Sequence, residues 1–132
     1  MKYIKYSIIL VLVMACFGMV STFATTYNYA NISIPALHGT WKSSQQRKYL
    51  EYTVQFFTNN GARDSLGNEY TMAGRTQSMY DSVGYSSWKY ASKYASGSWG
   101  NENKTPGEYK LHLQAKEYNA LSLSFNGSWT ID

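Results

Sequence analysis

The sequence predicts an all-β fold, a small antiparallel β-sandwich or barrel preceded by an N-terminal signal-peptide helix. Three observations carry that reading. Near the C-terminus apolar and polar residues alternate over long stretches, and period two puts one side of a strand in a core and the other in water. Eleven of the thirteen tyrosines and all four tryptophans lie after Ala24, mixed with Ser, Asn and Gly; the aromatics favour strands and the small polar residues favour turns. Strand-like segments recur about ten to fifteen residues apart with turn formers between them and no βαβ pattern, which is the spacing of a sandwich or barrel.

The first element is an address rather than part of the fold. Lys2 and Lys5 give a basic start, residues 7–20 form an almost unbroken apolar run, and Thr22-Phe23-Ala24 sets small residues where a signal peptidase reads. The expected division is a signal peptide over 1–24 and a single antiparallel β domain over 25–132, with a secreted product. Two readings compete with it. Counted from Tyr6 to Ala24, the apolar stretch approaches the roughly 20 residues of a spanning helix, which would anchor the domain at the outer face of the cytoplasmic membrane. Cys16 follows Val13-Met14-Ala15 as in a lipoprotein signal, but Met14 is bulky for its slot and the apolar run continues past it. Cleavage after Ala24 removes the only cysteine, so the domain has neither disulfide nor thiol nucleophile and depends on packing.

Within the domain, residues 32–36 predict an early strand that Pro35 confines to a sheet edge. A strand over 49–58 follows, with Leu50, Tyr52, Val54 and Phe56 inward, Glu51, Thr53 and Gln55 outward, and Asn59-Asn60-Gly61 as the turn that ends it. Short strands are expected near 68–72 and 75–79. Residues 85–96 hold a tandem repeat, Lys89-Tyr90-Ala91-Ser92 and Lys93-Tyr94-Ala95-Ser96, read as strand. The segment 97–107 is rich in Gly, Asn and Pro and long enough for a site-bearing loop. Tyr109, Leu111, Leu113 and Ala115 alternate with Lys110, His112, Gln114 and Lys116, and Leu121, Leu123, Phe125, Gly127, Trp129 and Ile131 alternate with Ser, Asn and Thr. These two segments predict a hairpin pairing Leu113 with Leu123, Leu111 with Phe125, and Tyr109 with Gly127, where the ring covers the strand glycine.

Catalysis needs positioned groups, and the inventory after Ala24 is thin. His38 and His112, three aspartates and five glutamates form no recognised catalytic spacing, and there is no nucleophile elbow, phosphate-binding glycine loop or HExxH. His112 falls on the polar side of its strand, where a solvated histidine is the expectation. Asp64, Asn68 and Glu69 crowd one loop with oxygen ligands, but EF-hand spacing is absent and Arg63 stands beside them, so an ordinary polar loop is favoured over a metal site. No catalytic residue, metal site or cofactor is expected. Ten Lys and Arg against eight Asp and Glu is too weak a bias for nucleic acid but suits loose attraction to an anionic envelope. Aromatic faces stack on sugars and make adaptable contact surfaces. Trp129 alternates into the core, whereas Trp88, Tyr90, Tyr94 and Trp99, around the repeat and the loop, are the candidate ligand-contact aromatics, with core packing the competing account of Trp88 and Trp99. Sequons at Asn31, Asn103 and Asn126 bear only on a eukaryotic route, and the leader reads as bacterial.

In the C-terminal half, the order of residues 85–96, then Leu113-Gln114-Ala115-Lys116-Glu117-Tyr118-Asn119, then Phe125-Asn126-Gly127-Ser128-Trp129 resembles a family of small exported Gram-positive proteins of unknown function. It lacks the acidic tail of that family. The resemblance implies export and a small β fold and transfers no functional residue. Gly39-Thr40-Trp41 resembles the lactococcin-like bacteriocins. The function expected is a secreted or envelope-associated, non-enzymatic interaction module whose partner is a cell-wall polymer or another surface protein. A bacteriocin-like antagonist is the alternative, and a small hydrolase with carboxylates assembled in three dimensions ranks third.

Overall fold

The computed structural model describes residues 24–51, 53–80 and 84–132. The predicted signal peptide over 1–24 lies outside them but for Ala24. Among the described residues the secondary structure is all β: nine strands, β1 (Thr26–Ile34), β2 (Trp41–Lys42), β3 (Gln46–Lys48), β4 (Phe56–Arg63), β5 (Met72–Ser78), β6 (Lys89–Ala91), β7 (Ala95–Ser98), β8 (Gly107–Ala115) and β9 (Leu123–Thr130). They form two antiparallel sheets, and the all-β expectation holds. Sheet A runs β1-β9-β4-β7; sheet B runs β2-β8-β5-β6, with β3 also paired to β8. The chain crosses repeatedly from one sheet to the other, and the tandem repeat makes one such crossing: its first copy supplies β6 of sheet B and its second supplies β7 of sheet A.

The alternation read from β8 and β9 is correct in phase. Tyr109, Leu111, Leu113 and Ala115 from β8 and Leu123, Phe125 and Trp129 from β9 all enter one core with Ile34, Phe57, Met72, Trp99 and Ile131. Leu121 stays largely outside, at 38% exposure. The predicted hairpin, however, does not form. β9 pairs with β1 and β4 and β8 pairs with β2, β3 and β5, so the two strands belong to different sheets and contribute to the core from opposite sides. Gly127 is covered by its own strand neighbour: a Cβ there would lie 2.4 Å from Phe125 Cζ. Phe57 occupies the matching gap between sheets, since a Cβ on Gly74 of β5 or Gly97 of β7 would meet its ring at 2.7 or 2.4 Å.

The third predicted strand is displaced and inverted. β4 begins at Phe56, and the buried side chains are Gln55, Phe57 and Asn59, while Val54 is 41% exposed. Buried amides take core positions because their hydrogen bonds are met internally. Asn59 donates to Tyr70 O and to Ala91 O of β6 and accepts from Gly61 N, and Gln55 donates to Asn103 O and accepts from Trp129 Nε1. Asn59-Asn60-Gly61 is accordingly not a turn; it is a β-bulge inside β4. The early strand is an edge as expected, but it runs from Thr26 to Ile34 and stops before Pro35. The two short strands expected across 68–79 are one, β5. Asp132 accepts from Tyr49 N and Leu50 N and faces the buried Lys48 ammonium at 3.8 Å, which ties it to the end of β3 and the two residues after it.

Candidate functional site

The outward residues of sheet B are long, basic and aromatic. Cross-strand register places Lys42 of β2, His112 of β8 and Arg75 of β5 in one row, with Lys110 paired beside Gln77 one step along. Like charges side by side on a sheet destabilise it, so this row needs an account. Part of the account is an aromatic cover. The segment entering β6 carries Tyr85 and Trp88 over the row, and the Arg75 guanidinium lies 4.1 Å from the Tyr85 ring centre and 4.5 Å from the Trp88 ring centre. A delocalised, weakly hydrated cation is suited to this position between aromatic faces. Tyr90, 55% exposed on the same face, has the Lys116 ammonium 5.4 Å from its ring centre.

The rest of the account is that His112 carries no charge. The expectation of a solvated histidine is overturned: Tyr85 stands edge-on at 5.5 Å and the residue is 1% exposed. Burial, reinforced by the charges of Lys42, Arg75 and Lys110, pushes its pKa down to about 4, because an imidazolium there would be both desolvated and repelled. Its Nε2 pairs with Gln77 Oε1 at 2.9 Å, while Nδ1 and the Arg75 Nε have no hydrogen-bond partner among the described residues. Among those residues Lys42, Arg75, Lys110 and Lys116 also have no ion-pair partner, in contrast to Arg47 with Glu108 and Lys89 with Glu102.

The four aromatics singled out in the sequence are separated. Trp88 and Tyr90 share the sheet B face. Tyr94 is 78% exposed beside sheet A. Trp99 is not a contact residue at all: it is 1% exposed, packs 5.6 Å from Phe57 and donates its indole N–H to Ser87 O, because the start of the predicted loop folds inward. Of the basic members of the face the alternation places Lys110 on the polar side of its strand, whereas Lys42 and Arg75 join it only through strand pairing; the available signal for the cover was Tyr85 and Trp88 just ahead of a strand. The Asp64 loop is self-contained. Asp64 accepts from Leu66 N, Asn68 N, Asn68 Nδ2 and Tyr70 Oη, which hold its carboxyl below the usual range. His38 is exposed in a turn with its ring 6.4 Å from Tyr118.

No protein-family model and no curated protein sequence matches the chain. Among solved structures the chain is similar to the CBM36-1 domain of a multidomain xylanase from the hindgut metagenome of Trinervitermes trinervoides, at 13% identity and a TM-score of 0.44, covering 87% of this chain and 91% of that one. A likeness of that size transfers neither ligand nor residues.

Proposed function

We propose that this is an exported, non-enzymatic binding module that holds an anionic polymer of the cell envelope on the outer face of sheet B. The observation that carries the reading is a cation row without an ion-pair partner among the described residues: Lys42 and Arg75 flank a histidine kept neutral, with Arg75 between two rings. Such a row costs folding energy and offers a preorganised, partly desolvated cation to carboxylate or phosphate groups. Exposed tyrosines beside it add contact area that is sequence-tolerant and suited to a repeating polymer. Export rests on the leader sequence.

The test is co-sedimentation of the purified protein with Gram-positive cell walls. Retention is expected at low salt, with most of it lost at about 0.5 M salt, where screening is nearly complete over a few ångströms. A Lys42→Ala/Arg75→Ala variant is expected to lose at least tenfold in retention. Absence of retention at low salt, or full retention by the variant, overturns the proposal.

A further inference from the structure

The outer face of sheet A has a different construction and, at one end, a groove. Both neighbours of β9 bulge at the same level. β1 shifts register between Tyr29 and Ile32 and β4 between Asn59 and Gly61, so Asn126 of β9 lies flanked by two bulges. Bulges bend strands and re-aim side chains. Here Asn31 takes the left-handed conformation at φ 54, and its amide donates to Asn126 Oδ1 at 3.0 Å. Two shallow, open clefts of about 270 and 240 Å³ result, and both are lined by Arg63 and Ser124.

The lining is mostly hydroxyl and amide, and the charges in and beside it, Arg63 and Lys93 against Asp64 and Glu69, sum to zero. Arg63 and Lys93 both bond Glu69 Oε1, at 2.7 and 2.5 Å, and Asp64 is filled by its four internal donors. At the end of the second cleft stands Tyr94. It is 78% exposed and left-handed at φ 62, a conformation that a side chain with a Cβ adopts only at a cost. The Lys93 ammonium lies 5.1 Å from the ring centre, but neither core packing nor backbone comfort favours a tyrosine there, since Gly would fit better, and at 78% exposure most of the ring is left open to a ligand.

We infer that the twin-bulge groove, with Tyr94 as its aromatic platform, is a second binding site that takes a neutral glycan chain. Charge balance selects the class: the groove offers polar donors and acceptors and one exposed ring with no net charge, which matches uncharged hydroxylated rings. Its openness suits an extended chain more than a compact enclosed ligand. The site is separate from the cationic face and does not rest on the function proposed for that face.

The experiment is an amide chemical-shift titration of the purified protein with hexasaccharides of glucose, xylose, mannose and N-acetylglucosamine, each to millimolar concentration. At least one is expected to give saturable shifts at Asn31, Asn60, Tyr94 and Asn126. Tyr94→Gly is expected to weaken that binding at least tenfold while Tm stays level or rises by a few degrees, the sign opposite to that of a structural residue. Ser124→Trp, a surface change at the junction of the clefts, abolishes binding with the spectrum otherwise retained, and Arg75→Ala leaves it unaltered. The inference is overturned if none of the four sugars shifts groove resonances, if Tyr94→Gly binds as the parent does, or if Tyr94→Gly lowers Tm.

Discussion

The two outer faces are built on the same pleat and could hardly differ more. On sheet A one outward row of short side chains runs Asn28, Ser128, Thr58 and Ser96 across all four strands. Thr58 and Ser128 pair their hydroxyls at 2.7 Å in that row, as Thr26 and Thr130 do at 2.8 Å in the next, and the first row carries no charge. On sheet B the outward residues are long, and the segment before β6 lays aromatic rings over them. That second layer buries a histidine outside the core and holds an arginine in place. The difference shows where this small sandwich concentrates its electrostatic cost: the charged face is internally opposed, and the neutral one is internally satisfied.

If that contrast is right, acid attacks the molecule through sheet B, and this is the largest effect expected. His112 has a folded pKa of about 4 against about 6.5 unfolded. Between those values the unfolded chain binds the proton and the folded one does not, so this contribution to stability is complete above about pH 6.5 and is lost as pH falls towards 4. The loss is about 2 kcal/mol at pH 5 and about 3 kcal/mol at pH 4. Urea unfolding of the parent and of His112→Gln at pH 7 and pH 4 isolates it, since the carboxylates titrate in both. Equal pH slopes in the two proteins would show that His112 is not held neutral by its cover.

A second prediction concerns what ties the two faces together. Asn59 sits on the sheet that bears the groove, but one of its amide hydrogens reaches Ala91 O of sheet B at 3.0 Å. Asn59→Ala leaves Ala91 O and Gly61 N short of a buried partner, and a cost of about 2–3 kcal/mol follows. Its exposed neighbour Asn60 is the control: Asn60→Ala changes stability by less than about 0.5 kcal/mol. Similar values for both in equilibrium unfolding would mean that the bulge is not pinned from within.

The sequence made faces legible and partners illegible. Period two assigned the inward residues of β8 and β9 correctly, because burial acts on each strand by itself. It could not say that the two strands join different sheets, because alternation is the same whichever strand lies alongside. The groove was hidden for a related reason: Asn59-Asn60-Gly61 has turn composition, and only the long-range pairing of β4 with β9 converts it into a bulge. β4 was mis-phased because Gln55 and Asn59 are polar by type yet buried by satisfaction. His112 read as wet because its cover comes from residues 85–88, some 25 positions away in the chain. Of the four aromatics singled out, Tyr90 and Tyr94 lie exposed, Trp88 is half-buried and Trp99 is in the core, a division that local composition does not carry.

The third prediction is sheet B's pairwise energy. A double-mutant cycle on Arg75→Ala and Trp88→Ala should return a coupling of about 0.5–1 kcal/mol, the range of a cation over an aromatic face at partial exposure. A coupling near zero would mean that the guanidinium is merely beside the ring and is not held by it.

The smallest effect belongs to sheet A and completes the contrast. Thr58 and Ser128 are neighbours in register, and their hydroxyls lie 2.7 Å apart on a half-buried surface. Water reaches that surface, so when either hydroxyl is removed the other finds a solvent partner, and the net worth of the bond is what remains after that exchange. A cycle on Thr58→Val and Ser128→Ala should therefore return less than about 0.3 kcal/mol, below the Arg75–Trp88 coupling. Valine keeps the β-branch that suits the strand, so the cycle reads the hydroxyl pair and not strand propensity. Were the coupling on sheet A the larger of the two, the hydroxyl row would be a cooperative network, and the neutral face, not the charged one, would be the more rigid platform of the molecule.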